Sequence, residues 1–161
     1  MTDPLPAAAT AGHDAGEPRI SYVVARLERA IRRAIADRVR PHGLTTLQYT
    51  TLSVLRRQGR PLSNAQLARR AYMTPQAMSE VIEALETKGL IERTPHPNHR
   101  RVYPAELTAE GARVLALCDE AVDEFEETML RDLDAVQTAA LRRGLTSAVR
   151  ALGAGLPQPL R

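Results

Sequence analysis

At 161 residues and 17.7 kDa the chain is sized for one domain with its own core, filled chiefly by Leu, Val, Ile and Ala because Trp is absent and Phe occurs once. A single cysteine, Cys118, excludes an internal disulfide; no apolar run reaches the ~20 residues of a membrane-spanning helix and no basic-then-apolar leader opens the chain, so the expectation is a soluble cytoplasmic protein. The net charge of +3 hides an uneven distribution, 16 Lys and Arg against 6 Asp and Glu over residues 19–101 and 6 against 10 over residues 102–161, which points to a lobe facing a polyanion and a second lobe used for assembly.

Residues 1–17 are rich in Pro, Ala, Gly and Thr, have no apolar period and predict a disordered tail. Pro18 suits a first helical position. From there Ile20, Val23, Val24, Leu27, Ile31 and Ile35 recur at helical spacing until Pro41 and Gly43 end the helix. Thr45, with Gln48 three residues on, is a capping-box pattern that opens a helix through Leu47, Leu52 and Leu55 to Gly59. Ser63 with Gln66 repeats the pattern and starts a short helix to Arg70. Thr74 caps the next helix, which has Pro75 in its first turn and runs to Lys88, with Gly89 as its stop. Leu90–Arg93 and Arg101–Leu107 are extended runs around the loop TPHPNHR, where two prolines forbid helix. A further short strand fits at Arg60–Leu62. Thr108 caps a helix carrying Val114, Leu115, Leu117, Cys118, Val122, Phe125 and Met129. Asp134 with Gln137 opens the last, which places Leu141, Leu145, Val149 and Leu152 on one face, and residues 153–161 read as a loose tail.

This order, helix, turn, helix, strand, basic loop, strand, is that of a winged helix-turn-helix: a mainly α fold with a small antiparallel β-wing, flanked by N- and C-terminal helices whose apolar stripes suit dimerisation. A recognition helix needs small or polar side chains at its N-terminal end and apolar ones behind. Thr74, Pro75, Gln76 and Ser79 stand in front; Met78, Val81, Ile82 and Leu85 stand behind at core spacing. The helix N-terminus offers free N–H groups to phosphate, and Gln76 is the residue type that bonds an adenine edge bidentately. Ser63 and Asn64, which begin the preceding helix, belong to the same candidate DNA-binding set. Arg93, His99, Arg100 and Arg101 cluster at the wing, where a guanidinium can enter a narrow minor groove. Glu80, on the recognition helix, either accepts from a cytosine N4 or pairs with a nearby arginine.

The string QLARRAYMTPQAMSEVIEALETKGLIERTPHPNHRRVYPAELTAEG, together with the long first helix and two C-terminal helices, resembles the MarR family of bacterial transcriptional regulators. The resemblance spans nearly the whole chain and implies a single domain over residues 18–152. Within it, residues 18–40 and 108–152 are dimerisation helices and residues 45–107 a winged-helix DNA-binding lobe. It further implies a homodimer on a pseudo-palindromic operator in double-stranded DNA, most often as a repressor, and a small aromatic effector bound between the lobes. His42, Tyr49 and Tyr72 flank that region here and are the candidate ligand contacts, with satisfied boundary packing as the plainer role for each. The family's wing usually carries an acid two residues before its arginine; here His99 precedes Arg101 instead. A basic residue is common where Glu80 stands. Cys118, among apolar residues in a late helix, differs from the N-terminal cysteine of the family's peroxide sensors and reads as a small core hydrophobe.

No metal or cofactor is expected: the four histidines, His13, His42, His96 and His99, lack ligand spacing. The acidic run Asp123, Glu124, Glu126 and Glu127 surrounds an apolar stripe as a solvated helix face. No catalytic triad or phosphate-binding glycine loop is present, so an enzyme is not expected. The alternative reading is a winged-helix module for protein–protein contacts that does not bind DNA.

Overall fold

The computed structural model describes residues 16–95 and 103–153. The elements are α1 (Ile20–Val39), α2 (Thr46–Gln58), α3 (Asn64–Arg70), α4 (Pro75–Thr87), β1 (Ile91–Arg93), β2 (Ala105–Leu107), α5 (Ala109–Leu130) and α6 (Ala135–Ala151), with a 3-10 turn at Arg40–His42. The molecule is mainly helical with one small antiparallel sheet, as the sequence order requires. The expected tails fall outside the described residues except at 16–17 and 153, and the wing tip with His96, His99, Arg100 and Arg101 falls outside them too.

The capping boxes form as read. Thr45 Oγ1 accepts from Gln48 N–H and Ser63 Oγ from Gln66 N–H, while Asp134 caps Gln137, and each glutamine side chain returns a bond to the cap's own N–H. Thr74 caps α4 and Thr108 caps α5 through single side-chain bonds. Gly89, at φ 68°, turns the chain from α4 into β1. The first helix departs from expectation: its cap is Arg19, so Pro18 precedes the helix. The extended Arg19 residue already supplies the carbonyl that the first helical N–H groups bond.

The wing strands pair Ile91 with Leu107, Glu92 with Glu106 and Arg93 with Ala105. The strand expected at Arg60–Leu62 reduces to a bridge between Leu62 and Ala105; of the run expected at Arg101–Leu107, Ala105–Leu107 is strand and residues 101 and 102 lie outside the described residues. On the wing side Thr94 N–H still reaches the Pro104 carbonyl at 3.4 Å, but Pro104 has no N–H to return, so the ladder loses one bond there.

The core gathers Val39 of α1, Leu52 of α2, Leu67 of α3, Met78 and Leu85 of α4 and Leu115 and Cys118 of α5 around Leu62. Leu47 faces outward instead, because α2 turns Gln48, Thr51, Leu52 and Leu55 to the inside. Tyr49 of α2 donates to Asp119 of α5 at 2.9 Å, and Arg56 forms an ion pair with the same carboxylate. Lys88, at the end of α4, reaches the Gly43 carbonyl and Gln48 Oε1. The two Asp119 contacts fix α2 to α5, and the Lys88 bonds tie the end of α4 to the start of α2. Helix α6 buries no residue.

Candidate nucleic-acid interface

The front of α4 is built by a clamp. Asn64, at the start of α3, donates through Nδ2 to Ser79 Oγ and to the Pro75 carbonyl at 3.1 Å, and Ser79 Oγ donates to that carbonyl at 3.0 Å. The first turn of α3 is thereby tied to the first turn of α4, which sets the angle of the helix pair. The arrangement gives the candidate residues different jobs. Ser63 and Thr74 use their side-chain oxygens to cap their own helices. Asn64 and Ser79 are engaged with each other, and the Ser79 proton is committed to Pro75. Pro75 and Gln76 are exposed on the outer edge of α4. Gln76 has no hydrogen-bond partner among the described residues, so its amide is available to a base edge. Behind it Met78, Val81, Ile82 and Leu85 are buried, as their spacing predicts.

Between α3 and α4 the chain turns through Tyr72, which holds φ 55°. A left-handed conformation in a residue with a Cβ costs roughly 1–2 kcal/mol, and the tight turn imposes it.

At the wing base, Arg93 directs its guanidinium back to Glu86 at 3.0 Å, stapling β1 to the last turn of α4. Arg93 therefore orients the hairpin at its root. Sequence reasoning did not find Glu86, although opposite charges seven residues apart across a glycine turn were a usable signal. Asp119, 70 residues from Tyr49, had no local signal.

The candidate ligand contacts stand on separate elements. His42 ends the 3-10 turn, half-buried; Tyr49 lies on α2 against α5; Tyr72 is exposed in the helix-turn-helix turn. Burial, then the Asp119 bond, raises the Tyr49 phenol well above its usual range, so it stays a neutral donor. Cys118 is fully buried and its thiol is likewise raised, first by burial and then by the Asp119 charge, which suits a core residue rather than a reactive one.

Comparison with known proteins agrees with this geometry. The profile of the MarR family matches residues 42–102. The HTH-type transcriptional repressor Rv2887 of Mycobacterium tuberculosis is 32% identical over 131 residues, covering 81% of this chain and 94% of the relative. Among solved structures, the transcriptional regulator BldR from Sulfolobus solfataricus superposes with a TM-score of 0.72 at 26% identity, over 82% of this chain and 93% of that one. A mutant MarR from E. coli complexed with operator DNA shares the fold, with a TM-score of 0.72 at 21% identity over 81% and 93% of the two chains.

Proposed function

Since this chain belongs to the MarR family of transcriptional regulators, and so is a regulator rather than an enzyme, we propose that it works as a homodimeric, sequence-specific DNA-binding repressor in the cytoplasm. In this reading residues 45–107 form the DNA-binding lobe. Helix α4 enters the major groove, and the hairpin carrying Arg100 and Arg101 lies along the neighbouring minor groove. The observation that carries the reading is Gln76: exposed at the front of a helix whose angle is fixed by the Asn64–Ser79–Pro75 clamp, with its amide unspent. Phosphate contacts from backbone amides and arginines would position the helix, and base-edge contacts would specify the sequence.

The dimer part rests on uncovered apolar surface. Ile20 is 81% exposed, Val136 75% and Leu152 84%, all on the terminal helices assigned to dimerisation, residues 18–40 and 108–152. Apolar surface at both chain ends favours a self-complementary partner. Release by a small aromatic effector belongs to the same proposal, with His42, Tyr49 and Tyr72 as contacts. Among the described residues no helix is long and apolar enough to cross a membrane.

One observation favours the protein–protein module instead: α4 carries Glu80, Glu83 and Glu86 and no basic residue. Selection of duplexes from a random library by the purified protein separates the two readings. A DNA regulator enriches a pseudo-palindrome and sediments at about twice 17.7 kDa; an interaction module enriches nothing.

A further inference from the structure

The acidic outer face of α4 is unusual for a helix that enters a polyanion. Glu86 is accounted for by its pair with Arg93. Glu80 is exposed and has no ion-pair or hydrogen-bond partner among the described residues, so the pairing option open at the sequence level is not realised there. It lies one turn beyond Gln76, four residues on and therefore on the same face. The two positions are separated by about 6 Å along the helix axis, close to two base-pair steps.

From this juxtaposition we infer that Glu80 is a specificity-determining residue that accepts from a cytosine N4 within about two base pairs of the adenine bonded by Gln76. The inference rests on the DNA-binding reading above. Its physical basis is exclusion. An ionised carboxylate only accepts hydrogen bonds. In the major groove guanine presents N7 and O6 and thymine O4, all acceptors; adenine couples its N6 donor to the N7 acceptor; cytosine presents the donor alone. A carboxylate placed against any other base loses water without gaining a donor, beside phosphates that already repel it. Glu80 thus penalises every sequence but one at its position. Glu83, three residues farther along α4, lies farther from the helix front.

Library selection with full-length wild type, Glu80→Ala and Glu80→Gln tests the inference, with thermal melts confirming that each variant folds. Wild type should enrich cytosine at one position of each half-site, and replacing that base should weaken binding roughly five- to 150-fold, the range for one good base contact. Glu80→Ala should lose that preference alone and bind random duplex more tightly. Glu80→Gln should switch the position to adenine, whose N6 and N7 match a carboxamide. Variants that enrich the wild-type consensus unchanged would overturn the inference while leaving the DNA-binding reading intact. A wild-type protein that enriches no sequence would overturn both.

Discussion

Replacing Gly111 with alanine should destabilise the protein by about 3 kcal/mol, although the same change inside an unobstructed helix gains about 1 kcal/mol. Gly111 is the third residue of α5, and its N–H bonds the Thr108 cap. A Cβ built there lies 1.9 Å from the Leu90 carbonyl oxygen and 2.9 Å from its carbon. The obstacle is backbone, so no rotamer change relieves it. The first turn of α5 must retreat from Leu90 by more than 1 Å, on the order of the shortfall from van der Waals contact. That retreat breaks the Thr108 N–H bond to Leu90, now 3.2 Å, and strains the Thr108 hydroxyl bond to the Gly89 carbonyl, now 2.8 Å. Two bonds at about 1 kcal/mol each, plus an overpacking cost of about 1–3 kcal/mol, outweigh the helix-propensity gain. For a chain of this length the loss corresponds to a fall in Tm of about 6–12 °C. Thermal unfolding followed by circular dichroism at fixed protein concentration measures it. Because Leu90 leads into β1, DNA affinity should fall as well. A Gly111→Ala protein with an unchanged or higher Tm would refute the packing of α5 on the wing base.

The raised Tyr49 phenol gives a pH signature. Its folded value lies above its unfolded one, so above pH ~10 the folded state holds the proton that the unfolded state has lost, and stability falls as pH rises; urea midpoints should decline more steeply above pH ~10 for wild type than for Tyr49→Phe, and equal slopes would contradict the burial of the phenol against Asp119. Native Cys118 should resist Ellman's reagent until the protein is unfolded, and rapid labelling of the folded form would place the thiol outside the core.

Much of the fold was legible because the signals were local. Capping boxes at Thr45, Ser63 and Asp134 each lie within four residues, and Gly59 and Gly89 mark where α2 and α4 stop. The apolar rear of α4 followed from period alone. The site was less legible, since its chemistry depends on which polar groups are already spent. Asn64 and Ser79, 15 residues apart, present the same side chains whether they face DNA or each other. Arg93 reads as a wing cation until Glu86 is placed beside it. The strand expected at Arg60–Leu62 reduces to a single bridge, because only Leu62 exchanges backbone bonds with Ala105, a long-range contact that local propensity does not register. Leu47 satisfied an apolar reading of α2 while its neighbours Gln48 and Thr51 took the inward face, each with a hydrogen-bonded side chain.

The central claim is that α4 reads sequence through an unspent Gln76. Gln76→Ala titrated at one salt concentration against the selected operator and against random duplex tests it most directly. The account predicts a loss of roughly 1–3 kcal/mol on the operator and far less on random DNA, where binding rests on phosphates. Arg101→Ala supplies the contrast, a similar loss on both duplexes. Equal losses for Gln76→Ala on the two duplexes would contradict the claim, leaving Gln76 a positioning contact and sequence reading to other residues or to DNA shape.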